Sequence, residues 1–382
     1  MFAVNGFAFG SWVPRLPEVR EALDVGDAAL GLTLLGGGIG GLAMSLASGR
    51  LVERFGSRPT MVATSIALSG LIPLIAVAPS PAVLFAVLLA VGALDGVTDV
   101  AQNAQGVELQ ARISRSMLSR LHAAWSLGTL SGGLVASRAA AADVSFTLQL
   151  SITAAVLAAV CLVAAPRLLP STPAGRVVAG ASHPATPHTT GAVDADVRTP
   201  AGSVRRSRGP VLLAMGAAAV LTEMPPTEWA ALVMAQRFDL GTGAAGLGFV
   251  AFTAGMVVGR LSGDVVVDRV GPETTRRSGA QLALVGLVVL ATSPTELVAA
   301  LGLAIVGLGA SSLFPMAVRR AGELAGPRGV ALFSSGARAG MLLGSPAMGA
   351  LSDATTRTIA LVAISGTAAI VSAAVRLPAA PD

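Results

Sequence analysis

Twelve apolar stretches constrain this chain more than any other feature. Most approach the roughly 17–25 residues that a helix needs to cross a hydrocarbon layer. They fall at about 1–20, 29–49, 60–79, 82–107, 117–139 and 145–166, and again at about 210–236, 243–262, 278–293, 296–318, 329–351 and 358–376. Only the stretch at 278–293 is short. Charged residues make up 12% of the 382 residues and hydrophobic ones 53%. A soluble domain is about one quarter charged, so this chain could not cover a water-facing surface. Lipid removes that demand. The expected fold is an all-α membrane protein of twelve transmembrane helices in two pseudo-symmetric six-helix bundles, at 1–168 and 210–382.

Residues 169–209 separate the two sets. They are rich in Pro, Ser, Thr and Gly and carry several Arg. Such a composition cannot build a core and predicts a disordered cytosolic linker. His183 and His188 fall in it and read as solvated. The single Cys161 lies inside an apolar stretch, which leaves no disulfide framework and no metal cluster. No cofactor is expected. All 26 basic residues are Arg. They sit between apolar stretches, not in a basic patch interleaved with aromatics, so nucleic acid is not the expected partner. With both termini in the cytosol, roughly twenty of the Arg fall on the cytosolic side, as the positive-inside rule requires. The reading is a multi-pass protein of the cell membrane.

The halves repeat. Trp12, Arg20, Leu23, Ala28, Leu30 and Gly31 match Trp229, Arg237, Leu240, Ala245, Leu247 and Gly248 at one constant offset. Repeats of this kind place a solute site near the midplane between the halves. The loop after the second stretch runs from Gly49 through Glu53, Arg54 and Gly56 to Arg58. Its counterpart runs from Gly263 through Asp268 and Arg269 to Gly271. The glycines permit a tight turn. The acid can cap a helix start and pair with Arg across the bundle, giving a cytosolic clasp that holds in one conformation. The plainer alternative is that these Arg only set topology.

These loops resemble the signature loop of the major facilitator superfamily, Gly-x-x-x-Asp-Arg-x-Gly-x-Arg. The first copy departs by Glu53, the second by one extra residue after Gly263 and by Pro272. A narrower resemblance lies in Asp99-Val100-Ala101-Gln102-Asn103 and His122-Ala123-Ala124-Trp125. It is to an uncharacterised bacterial branch distantly similar to fucose-type sugar permeases. The resemblance implies a monomer, and a central cavity lined by the first, fourth, seventh and tenth helices. That would bring Asn5, Trp12, Asp95, Asp99, Asn103, Glu223, Glu228 and Trp229 near the pathway.

Ionisable residues inside a membrane cost several kcal/mol and so ask for a role. Asp95, Asp99 and Asn103 share one face of a helix, at i, i+4 and i+8. Glu223 and Glu228 flank Pro225-Pro226, where tandem proline frees backbone carbonyls. Arg338 lies deep in the eleventh stretch, placed to pair with an acid or to bind an anionic solute group. His122 and Ser126 are one turn apart. Buried polar pairs that fix helix register are the structural alternative for the acids, and interfacial anchoring is the alternative for Trp12 and Trp229. Two acids a turn apart beside a single Arg hold excess negative charge, which a proton would relieve. Glu223 is the first candidate for proton coupling, with Asp99, Glu228 and His122 behind it. Asn5, Trp12, Asp95, Asp99, Asn103, Trp229 and Arg338 are the candidates for solute binding.

The expected function is secondary transport by alternating access, proton-coupled, with sugar-like uptake leading and proton-antiport efflux of drugs or natural products as the alternative. No Gly-x4-Gly-Lys-Ser/Thr sequence exists in a chain without Lys, which argues against direct ATP driving. A non-transporting sensor lacks a signalling domain. A hydrolase built on His122 and Ser126 lacks a nucleophile motif.

Overall fold

In the computed structural model the described residues are 1–113, 118–170 and 209–375. Most of the expected linker, with His183 and His188, lies outside them. The described residues form helices and turns, with no strand among them. The first span is α1 (Phe2–Gly10) and α2 (Leu16–Leu23), joined by a 3-10 turn at Val13–Arg15. Pro14 and Pro17 have no N–H to continue the ladder, which breaks the helix there. α3 (Asp27–Phe55), then α4 (Ser57–Leu71) with α5 (Pro73–Ala76), α6 (Pro81–Ile113), α7 (Leu118–Ala141) and α8 (Phe146–Ala164) complete the first set.

The second set opens with α9 (Gly209–Phe238), followed by α10 (Thr242–Ala245) with α11 (Leu247–Val270), and then α12 (Pro272–Thr292). α13 (Glu296–Ala310), α14 (Leu313–Ala354) and α15 (Arg357–Ala374) follow. α14 holds parts of two spans. Ala325 and Gly326 leave helical geometry, Gly326 at φ +56°, and Pro327 follows. The stretch that looked short begins earlier than its apolar residues suggest: α12 has 21 residues, because its first turn is polar. Seven helical stretches among the described residues are long and apolar enough to cross a membrane unaided. The outer faces of α8 and α13 carry Leu162, Val163 and Leu297 exposed, Leu297 at 75%, as a lipid-facing surface requires.

The two signature loops share one backbone device. Gly56 ends α3 at φ 86°, ψ 153°, and Gly271 ends α11 at φ 82°, ψ 160°. A side chain is strained in that region, so glycine closes both turns.

The sets meet along two seams. α3 packs on α14, and α7 packs on α11 and α10. At the first seam Gly31 lies against the backbone of Ser345, and Gly349 against the backbone of Asp27. A Cβ at either position would collide with the opposing main chain. At the second seam Gly133 faces Phe249 and Gly243 faces Ala141. These contacts lie toward the ends of the helices near Asp27, here called the Asp27 face. At the opposite, Gly56 face, Gly49, Gly263 and Gly271 have nothing within 4 Å where a side chain would point.

Candidate functional site

A cavity of about 120 Å³ lies between the two sets. α1 contributes Asn5, Phe9 and Trp12 to its wall, α6 contributes Asp95, α9 contributes Met224 and Glu228, and α14 contributes Met341 and Ser345. Asp95 lies fourteen residues into α6, and Glu228 ten residues before the end of α9. At 1.5 Å per residue both are ~15–21 Å from the Asp27 face. That is mid-depth for a hydrocarbon layer of about 30 Å.

The polar wall is tightly wired. Asn5 Nδ2 donates to Asp95 Oδ1 at 2.8 Å, and Asn5 Oδ1 accepts from Trp125 Nε1 at 3.3 Å. Ser345 donates its hydroxyl to Glu228. Phe9 and Trp12 meet edge to face, centroids 5.8 Å apart. One turn along α6 from Asp95, Asp99 is buried and accepts from Asn103 Nδ2 at 3.0 Å and Gln102 Nε2 at 3.3 Å. The stripe read at i, i+4, i+8 is therefore one face, but only Asp95 of the three reaches the cavity wall.

Glu223 and Glu228 diverge. Glu228 faces the cavity. Glu223 points to α11, where Arg260 Nη2 donates to its Oε1 at 2.8 Å. The other terminal nitrogen of Arg260 donates to Ser126 Oγ on α7 at 2.6 Å, so this residue ties the second set to the first. Its guanidinium also lies 6.0 Å from the Trp125 ring centroid. Sequence reasoning missed Arg260 because the apolar stretch ends at about residue 262, which makes it look like a boundary charge. The helix runs on to Val270 and leaves Arg260 partly buried, its side chain 14% exposed.

Other expected residues sit elsewhere. Trp229 is fully buried in the core and is not part of the cavity wall. Arg338 is half-buried and makes no ion pair among the described residues. His122 stacks edge to face on Phe2, centroids 5.2 Å apart. Ser126 donates to the His122 backbone carbonyl at 3.2 Å, not to its imidazole, so the pair is not a nucleophile and its base. The tandem prolines leave α9 continuous. The carbonyl of Leu221, four residues before Pro225, accepts from Ser365 of α15 at 2.9 Å and so does not face the cavity.

The Gly56 face is unclasped. Glu53, Arg54, Asp268 and Arg269 are exposed, and neither acid forms an ion pair among the described residues. Arg58 is partly exposed nearby. The paired acid nearby is Glu273, in the first turn of α12 just after the second loop, which accepts from Arg276 and Arg277. Burial pushes its carboxyl up, and the two guanidiniums outweigh that and hold it below the usual carboxylate range.

The Asp27 face is latched. Arg357, at the start of α15, donates two bonds of 2.7 Å to the two carboxylate oxygens of Asp27, at the start of α3. Arg20 adds a third at 2.7 Å. Asp353, at the end of α14, accepts from the backbone N–H groups of Asp27 and Ala28 at 2.9 and 3.0 Å. A carboxylate from one half thus caps a helix of the other.

Residues 1–327 match the family model described as Major Facilitator Superfamily. An uncharacterised MFS-type transporter of Yersinia pestis is 27% identical, over 94% of this chain and 89% of that protein. Among solved structures, the nucleoside transporter NupG superposes with a TM-score of 0.73 at 14% identity, covering 97% of each chain. The E. coli fucose:proton symporter FucP gives 0.57 at 15% identity, covering 97% of this chain and 95% of that one. At these identities the two structures show a shared fold.

Proposed function

Since this chain belongs to the major facilitator superfamily, whose matched relatives are named as transporters and not enzymes, we propose that it is a proton-coupled secondary transporter moving a small organic solute by alternating access. The observation that carries this reading is the cavity itself. It lies mid-depth between the two sets, and each set contributes one carboxylate, Asp95 and Glu228, with no Arg on the wall. Carboxylates in a poorly solvating site need a proton or another cation, and a proton that leaves when the cavity opens to a new side couples its own gradient to solute movement.

Asp95, Asp99 and Glu228 are the groups free to do this. Glu223 already has a fixed cation in Arg260, so its part is to hold α9, α11 and α7 in register. The Arg-rich Gly56 face is cytosolic by the positive-inside rule. The arrangement described, latched at Asp27 and unclasped at Gly56, is then the inward-open side of the cycle. Residues 1–168 and 210–382 rock as two bodies in a monomer in the cell membrane. Glu53 and Asp268 take their Arg partners when the Gly56 face closes.

The test is solute-driven proton movement in proteoliposomes, with sugars, sugar acids, amines and lipophilic cations. Glu228→Gln and Asp95→Asn are run in parallel. One solute should move protons, and the variants should abolish it. Solute flux with no proton signal in the parent protein would sink the coupling claim.

A further inference from the structure

We propose that the solute is a small organic cation, a protonated amine held between Asp95 of the first set and Glu228 of the second. This rests on the transporter reading and goes further by fixing the charge of the cargo. The cavity wall offers more acceptors than donors. Four wall residues named above carry side-chain hydrogen-bonding oxygen or amide groups: Asn5, Asp95, Glu228 and Ser345. The donors are largely consumed inside the wall. The Asn5 amide donates to Asp95, and its oxygen is taken by Trp125. The Ser345 hydroxyl donates to Glu228. What remains facing the cavity is mostly acceptor capacity, the unused lone pairs of two carboxylates, against two neutral donors, the indole N–H of Trp12 and the second amide hydrogen of Asn5.

Among the described residues no Arg stands on the cavity wall, and the half-buried Arg338 lies one turn before Met341 on α14, outside that wall. Arg260, the guanidinium nearest these acids in the bonding network, is engaged by Glu223 and Ser126. An anionic solute would meet two like charges and no donor that could outbid them. A neutral polyol could donate hydroxyls, yet it brings no charge, and each acid would need a proton of its own beside it. An ammonium supplies donors and charge together, and its hydrocarbon part fits the largely apolar remainder of the wall, Phe9, Trp12, Leu34, Met224 and Met341 among it. The aromatic faces add attraction for a cation. Because the two carboxylates belong to different sets, a bound ammonium also bridges the bodies that move. With the site empty of solute, protons take its place, which makes exchange of amine for proton the natural cycle.

The experiment measures binding to the purified full chain by quenching of tryptophan fluorescence. The ligands are small amines, each paired with the alcohol and the carboxylic acid of the same carbon skeleton, cyclohexylamine with cyclohexanol and cyclohexanecarboxylate among them. Amines should bind more tightly than both counterparts. Asp95→Asn and Glu228→Gln, which keep side-chain shape, should each weaken amine binding by at least about tenfold. If no amine binds better than its alcohol or acid, or if the variants leave amine affinity unchanged, the inference fails. Proteoliposome flux separates the two claims. Amine binding without flux overturns the transport reading and leaves the cation site standing. Flux of a neutral or acidic solute with no amine preference does the reverse.

Discussion

Replacing Arg357 by Leu should unlatch the Asp27 face, and the structure sets the size of the effect. Arg357 and Asp27 are both buried, with side chains 8% and 4% exposed, and they share two bonds of 2.7 Å. Removing one partner of a buried pair costs about 3–5 kcal/mol, chiefly through the charge left behind. Arg20 still reaches Asp27 at 2.7 Å from a side chain 33% exposed. It recovers part of that, leaving a net penalty of about 2–3 kcal/mol on the latched arrangement alone. Once the face opens, water solvates Asp27 and the penalty vanishes. The equilibrium therefore shifts toward opening by about 30- to 150-fold, at 1.4 kcal/mol per factor of ten. A cysteine at Leu34, on the cavity wall in α3, reports this in a Cys161→Ser background. Its labelling by a membrane-impermeant maleimide from the Asp27 side should accelerate by that factor. The double variant Asp27→Leu/Arg357→Leu should return most of the way to the parent rate, because the one charge that loses its partner, Arg20, is a third exposed and reaches water. An unchanged rate in Arg357→Leu, or a double variant as open as the single one, would refute the reasoning.

Further outcomes follow from the same geometry. Gly349→Val places side-chain atoms against the Asp27 backbone, so it should raise Leu34→Cys labelling without removing any charge. Gly56→Ala and Gly271→Ala force a side chain to φ above +80°. Each should destabilise the folded protein by about 1–3 kcal/mol, read as a lower melting temperature in detergent. The Glu273 carboxyl is held below its usual value of 4.5 in the folded protein. Its contribution is therefore present above that pH and lost as pH falls through the lower, folded value. Thermal stability should drop on acidification below about pH 4.5, and Glu273→Gln should flatten that part of the profile.

The sequence made the spans legible because length and apolarity are local properties. The two signature glycines were legible for the same reason: a turn that needs φ above zero leaves its mark at one position. The stripe of Asp95, Asp99 and Asn103 was also readable from spacing, although its division between cavity wall and buried network was not. Partnerships were hidden. Asp27 and Arg357 are 330 residues apart, and both fall between the apolar stretches. Arg260 was hidden by a polar extension of its helix that hydropathy does not register. The prolines of α9 looked like cavity-lining breaks, and only Ser365, 144 residues away from Leu221, shows where the freed carbonyl goes.

The two seams at the closed face differ in kind. Both press small residues against the opposing helix, Gly31 and Gly349 at the α3–α14 seam and Gly133, Gly243 and Ala141 at the seam of α7 with α10 and α11, but only the first adds carboxylates and guanidiniums, between α3 and the α14–α15 pair. Ionic partners exchange readily for water once separated. Interlocked small-residue surfaces lose their dispersion contacts with the first ångström of gap and gain nothing back. If the two sets rock as proposed, such a face would open as a book does, with the fore-edge along α3 and the spine along α7. Solute entering from that side would then meet Glu228 and Ser345, next to the opening edge, before it reaches the first half's Asp95.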